Sequence, residues 1–223
     1  MSLDRKKLLA GPQAIKSLLR SLEDWWFDTT RSVQTSGLAP VPPKSQIVGE
    51  LSDSLMYGPV RVKNAHRALR DLPIDNYADY TFLDIGSGKG RVLFIAAEYP
   101  FNKVLGVEFG RDLHEQACVN IQHYRHRRQR CTDIRSIQAN AAEFNFPDEN
   151  LVVYLFNPFG PEVMSRMLTN LERSIAQHPH HVIVVLLWPE QSHLVGQTQG
   201  IHIYKQTRRY HIYQTANPSH QAN

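Results

Sequence analysis

Thr81-Phe82-Leu83-Asp84-Ile85-Gly86-Ser87-Gly88-Lys89-Gly90-Arg91-Val92 runs from a short apolar stretch into an acid, and then into three glycines at alternate positions. The apolar stretch reads as a buried strand, followed by a tight turn and a helix. Glycines let the turn take strained backbone angles and let a ligand touch the main chain. The helix start behind the turn offers unpaired N–H groups to a carboxylate or phosphate. A nucleotide-like or carboxylate-bearing cofactor is therefore expected at this turn.

The spacing narrows the cofactor. Dinucleotide-binding turns carry G-x-G-x-x-G, with the third glycine packing helix on strand. Here Gly86, Gly88 and Gly90 give G-x-G-x-G, and Arg91 stands where that third glycine would fall. With Asp84 two residues ahead, D-x-G-x-G-x-G resembles the first motif of the class I methyltransferases that use S-adenosylmethionine. The resemblance implies that the loop wraps the methionine part of the cofactor and that Asp84 holds its ammonium group. A second strand, Lys103-Val104-Leu105-Gly106-Val107-Glu108, ends in an acid eighteen residues after Gly90. A carboxylate there can accept both ribose hydroxyls. Ser136 to Glu143 reads as a third strand running into a turn. In the resembled family that turn lies beside the adenine, so Asn140 or Glu143 is expected to read the amino group. Together these positions imply cofactor contacts at Asp84, Gly86, Ser87, Gly88, Gly90, Glu108, Asn140, Ala141 and Asn157.

The fourth strand, Leu151 to Phe156, is nearly all apolar, as in a parallel sheet covered on both faces. It is followed by Asn157-Pro158-Phe159-Gly160-Pro161. Asn-Pro-Phe resembles the (D/N/S)-P-P-(Y/F) motif of amino-methylating enzymes, with one proline missing. The resemblance implies that the Asn157 side chain and the Pro158 carbonyl accept hydrogen bonds from the target nitrogen, while Phe159 packs against the substrate. Within the superfamily the pattern is similar to an uncharacterised bacterial group with F-L-D-I-G-S-G-K-G-R, G-V-E and F-N-P-F. It also resembles the non-SET histone lysine methyltransferases, which have a second Asn where Pro158 stands.

At 223 residues and 42% apolar content the chain can bury one sizeable core. No apolar run reaches the roughly twenty residues of a membrane span, and the charged start Asp4-Arg5-Lys6-Lys7 argues against a secretory signal. Cys118 and Cys131 suggest neither zinc nor a disulfide framework, so a reduced, cytoplasmic setting is expected. No metal is expected either. Arg5 to Asp28 forms an amphipathic helical candidate broken near Gly11-Pro12, and Thr29 to Gly58 reads as a long loop. Val60 to Leu72 and Glu162 to Gln177 read as helices. Val182 to Leu187 reads as a fifth strand, and Ile201–Tyr204 with Tyr210–Tyr213 as a terminal strand pair. The expected fold is α/β: a Rossmann-like, seven-stranded, mostly parallel sheet with an antiparallel C-terminal hairpin and an N-terminal helical segment. Residues 1–58 are expected to form that segment and a lid-like loop, 59–215 the methyltransferase-like domain, and 216–223 a tail.

The function expected from this resemblance is methyl transfer from S-adenosylmethionine to an acceptor, a nitrogen on a small molecule or protein side chain. Tyr57 is a candidate to cover the cofactor or substrate. A nucleic-acid acceptor would use Arg125, Arg127, Arg128 and Arg130 on phosphates. With a net charge of only +4 and no appended RNA-binding module, that reading ranks below the first. A cofactor-binding partner subunit, with the amphipathic N-terminal helix as its interface, is the non-enzymatic alternative. A NAD-dependent dehydrogenase is disfavoured by Arg91. No membrane partner is expected. The acceptor and the oligomeric state are not legible in the sequence.

Overall fold

The computed structural model describes residues 12–37, 39–40, 56–156 and 159–216. Seven strands form one sheet: β1 (Thr81–Ile85), β2 (Lys103–Glu108), β3 (Ile134–Gln138), β4 (Leu151–Phe156), β5 (Val182–Leu187), β6 (Ile201–Gln206) and β7 (Tyr210–Thr215). Their order across the sheet is β3-β2-β1-β4-β5-β7-β6. Strands β1 to β5 pair in parallel, β7 pairs antiparallel with β5, and β6 antiparallel with β7. Six strands thus point one way and β7 alone points back. Strand order reverses beside β1, with β2 on one flank and β4 on the other. In open α/β sheets that reversal leaves a crevice at the carboxyl ends, where ligands bind.

The sheet is central because its inner strands are apolar on both faces. Every residue of β1 and of β5 is buried. Phe82, Val104, Val152, Tyr154 and Ile183 pack against α2 (Val62–Arg70) and α3 (Arg91–Ala96). The alternate residues Leu83, Leu105, Val153 and Val184 pack against α5 (Pro161–Gln177) and α6 (Ser192–Gln197). Helix α5 presents Met164, Met167, Leu168 and Leu171 to the sheet, the spacing of one helical face. Pro161 opens it, where a missing N–H costs nothing. Helix α4 (Arg111–His123) leads to Tyr124, which stacks on Phe94 of α3 at 4.7 Å between ring centroids. The hairpin edge is tied to the end of α2 through Asp71, which accepts from the Tyr210 hydroxyl and pairs with Lys205 at 2.7 Å.

The structure departs from the sequence reading at its N-terminal segment and adds elements to it. Helix α1 spans Pro12–Arg31; residues 5–11 of the expected helix, with the expected break at Gly11, lie outside the described residues. The helix also continues past Asp28 through Thr29, Thr30 and Arg31, which the sequence placed in the loop; the Thr30 hydroxyl turns back to the Trp26 carbonyl at 2.7 Å. It stops at Ser32, whose φ of 56° leaves the helical region. A two-residue ribbon pairs Ala39–Pro40 with Met56–Tyr57, and α6 is additional. Residues 41–55 of the expected lid-like loop and most of the expected tail lie outside the described residues.

Gly106 of β2 passes directly beneath the glycine turn. A Cβ built there would meet Ser87 Oγ at 2.6 Å, Ser87 Cβ at 2.8 Å and Leu93 Cδ1 at 2.9 Å. Gly106→Ala should therefore destabilise the protein by about 1–3 kcal/mol through overpacking, read as a fall in the urea midpoint at constant slope. Adding Ser87→Gly should recover part of the loss, because it removes two of the three clashing atoms.

Candidate active site

The glycine turn has the strained backbone its residues anticipate: φ is 82° at Gly86, 54° at Gly88 and 86° at Gly90. The N–H groups of Gly86 and Ser87 donate to the Val107 carbonyl of β2 at 2.8 and 3.1 Å, and Gly90 N–H closes the turn on the Ser87 carbonyl at 2.9 Å. Glu108, at the end of β2, holds the turn from the side. One carboxylate oxygen accepts from Gly88 N–H and the other from Gly110 N–H, both at 2.7 Å. Each oxygen keeps a further lone pair for a hydroxyl donor.

Asp84 sits one residue from the end of β1, paired in register with Gly106 on one side and Tyr154 on the other. It is 2% exposed. Burial, reinforced by the nearby Glu108 charge, pushes its carboxyl well above the usual range. Burial also raises Glu108, against the pull of the N–H groups of Gly110, Gly88 and Phe109. The Tyr154 hydroxyl is buried without a hydrogen-bond partner, and burial and Asp84 together raise it far above a free phenol. Ser87 Oγ is likewise buried and without a partner. Two orphaned hydroxyls and a carboxyl driven toward its neutral form thus share one end of the sheet. Such a donor set fits a cationic, hydroxyl-bearing ligand. Tyr154 was legible in the sequence only as a strand residue.

The other expected site residues are placed as follows. Asn140 follows β3 by two residues, and its side-chain oxygen accepts Ala142 N–H at 3.0 Å, capping a short 3-10 turn over Ala141–Glu143. Its amide N–H2 is left for another acceptor. Ala141 is buried beneath the turn. Glu143 is exposed and lies 3.9 Å from Arg166, which makes Asn140 the better-placed of the two. Phe159 is 7% exposed and packs in the α5 core layer, and its carbonyl accepts from the Gln191 amide at 2.8 Å. Asn157 and Pro158 lie outside the described residues. Tyr57 lies in the two-residue ribbon. Among the described residues no group of three His, Cys, Asp or Glu could hold a metal, and no helix is long and apolar enough to cross a membrane.

The sequence missed how the N-terminal segment reaches this site. Arg91, the first residue of α3, is 2% exposed. Its guanidinium pairs with Asp24 of α1, lies 3.7 Å from Asp28, and donates to Thr35 Oγ1 at 2.8 Å and Ser36 Oγ at 3.2 Å. Its plane covers the Phe27 ring at 4.9 Å. Asp28 accepts the N–H groups of Thr35 and Ser36, both at 2.9 Å. Asn120 of α4 binds Gln34 through both main-chain groups and also donates to the Lys89 carbonyl in the glycine turn. Lys89 in turn donates to the Ser36 carbonyl at 3.0 Å. The strap from Val33 to Ser36 is therefore stitched onto the glycine turn.

A second feature lies at the opposite end of the sheet. Lys63, His66, Arg67 and Arg70 of α2, with Glu98, Tyr99 and Arg128, line a cavity of about 480 Å³. Glu98 and Arg128 belong to the connections entering β2 and β3, so this basic cavity faces away from Asp84.

No family model and no curated protein matches this sequence. Solved structures do resemble its fold. A "predicted N6-adenine-specific DNA methylase" from Listeria monocytogenes superposes with a TM-score of 0.51 at 19% identity, covering 72% of this chain and 52% of its own. A "possible methylase" from Clostridium difficile superposes with a TM-score of 0.50 at 13% identity, covering 72% and 54%. The fold is the Rossmann-like one of these methylases. This chain spans about half the length of either, and identity this low speaks to fold alone.

Two outcomes follow from the site's electrostatics. Folded Asp84 keeps its proton to higher pH than the unfolded chain does. As pH climbs above the ordinary carboxylate range the unfolded state ionises first, and stability drains from the unliganded protein up to the raised folded value. Asp84→Asn should therefore be more stable than the parent at neutral pH, by a margin that grows as pH rises from about 4; denaturant midpoints across that range measure it. Arg91→Met leaves Asp24 and Asp28 facing an apolar side chain. It should cost about 3 kcal/mol or more, with hydrogen exchange accelerating first at Thr35 and Ser36.

Proposed function

We propose that this protein transfers the methyl group of S-adenosylmethionine to an acceptor nitrogen on a small molecule or protein side chain. The observation that carries the reading is Asp84, a buried, uncompensated carboxyl beside a glycine turn that Glu108 braces from the neighbouring strand. When bound, the cofactor supplies a methyl group already activated on a sulfonium, so little acid–base chemistry is asked of the protein. Asp84 gains from an ammonium what burial takes away, because an opposite charge favours its ionised form. Glu108 offers its free lone pairs to ribose hydroxyls while its others hold the turn rigid. Asn140 serves the adenine edge with its free amide. Ser87 and Tyr154 supply hydroxyls to polar atoms that enter the crevice. Asn157 and the Pro158 carbonyl accept from the acceptor amine and orient its lone pair, and Phe159 anchors their turn from the core. Catalysis then rests on placement. The methylase-like fold supports the reading, and so does the position of the donor set at the carboxyl ends where the strand order reverses.

The test is calorimetry with S-adenosylhomocysteine, the demethylated product. Binding should be lost in Gly88→Val and weakened in Glu108→Ala. It should also release protons, since the ligand's ammonium drives Asp84 toward its charged form. Titrations in buffers of different ionisation enthalpy read that release, and Asp84→Asn should abolish it. NADH binding with no response to S-adenosylhomocysteine would overturn the proposal. Asn157→Ala should depress transfer of tritiated methyl to fractionated lysate by roughly a hundredfold while leaving product affinity largely intact.

A further inference from the structure

Helix α1 carries an apolar face that the fold does not use. Its inward side presents Asp24, Phe27, Asp28 and Arg31 to the domain. On the opposite side Ile15, Leu18, Leu19, Leu22, Trp25 and Trp26 recur at helical spacing, each 50–63% exposed. Together they present on the order of 700 Å² of apolar surface, beyond the roughly 300–600 Å² of a monomer's largest patch and close to the ~800 Å² that each partner gives a stable interface. We propose that this face pairs with the same face of a second copy, the two α1 helices running antiparallel about a two-fold axis near residue 20.

The pattern selects this occupant. Ile15 and Trp26 lie equally far either side of residue 20.5, as do Leu19 and Leu22, so a two-fold there sets Ile15 against Trp26 and Leu19 against Leu22 of the copy. Lys16 and Glu23 flank the stripe on one side, two turns apart. In an antiparallel pair that flank meets itself, which brings Lys16 of each chain to Glu23 of the other. Among the described residues neither has an ion-pair partner within its own chain. A parallel pair would instead set this flank against Ser21. A lipid surface fits poorly, because α1 carries three basic and three acidic residues and has no cationic excess to draw it to anionic headgroups. Pairing on this face leaves the Arg91 contacts intact, since they lie on the other side of the helix.

The experiment is sedimentation equilibrium of the full chain from about 1 to about 200 µM, where mass action separates monomer from dimer. The parent should dimerise, and Leu19→Glu with Leu22→Glu should be monomeric while retaining the parent's far-UV circular dichroism and a cooperative melt. Lys16→Glu and Glu23→Lys leave the apolar stripe intact, so they also test the proposal should the first variant fail to fold. Each alone turns two attractive pairs repulsive and should weaken association about tenfold, and the two together should restore it. Single reversals without effect, or a double no better than the singles, overturn the antiparallel arrangement. A parent that stays monomeric throughout overturns the dimer. In such a monomer, quencher-protected tryptophans would assign the face to another segment of the same chain, and co-sedimentation with phosphatidylglycerol vesicles would assign it to lipid.

Discussion

A buried arginine must be neutralised, and in this molecule the residues that neutralise Arg91 lie more than sixty positions away along the chain. Its charge sits at the start of α3, directly behind the glycine turn, in a place with almost no water. Leaving it unpaired would cost several kcal/mol. Asp24 and Asp28 supply the counter-charge, and to do so α1 must lie along the domain with that face inward. Once α1 is placed, the chain leaving it at Ser32 has one course, across the turn, where Asp28, Asn120 and Lys89 take up its main-chain groups. The wall of the site is thus a consequence of a charge that cannot be left alone.

The same logic runs in reverse at Asp84 and Glu108. These two acids are also buried, but no described cation answers them. Glu108 is held by main-chain N–H groups, which compensate it in part. Asp84 is left with burial and its acidic neighbour, both of which oppose ionisation. One buried charge is satisfied by the protein, and the other is kept unsatisfied at the mouth of a crevice. Strain kept where a ligand can relieve it is characteristic of binding sites.

Much of this was written plainly in the sequence. Strands β2, β4 and β5 fall on their expected residues because each is an unbroken apolar run bounded by polar or turn-forming neighbours. The glycine turn was legible because three alternating glycines have few other uses. Arg91 was read only as the absence of a third glycine, since nothing in a linear pattern shows which acids will fold onto a base. Asn120 sits mid-helix as an ordinary polar residue and shows its value only when Gln34 and Lys89 arrive from other elements. Tyr154 lies inside a run of apolar residues and passed for one of them. Helix α1 ran three residues past its expected end because Thr29 and Thr30 are weak helix formers locally, while Arg31, held by Glu98, draws the last turn onto the domain.

The dependence of α1 on α3 also sets an order of events during synthesis. Helix α1 leaves the ribosome before the residues that give it a place, and even β1, beside which the strand order reverses, precedes Arg91. Until Arg91 has emerged, the two aspartates have no such cation to meet. Over that interval both sides of the helix are open: the inward one waiting for Arg91, the outward one bearing two tryptophans. A nascent helix in that condition is a natural client for a holding chaperone. A translational pause at any point before Arg91 emerges, in β1 as much as at the start of α3, would lengthen that exposure.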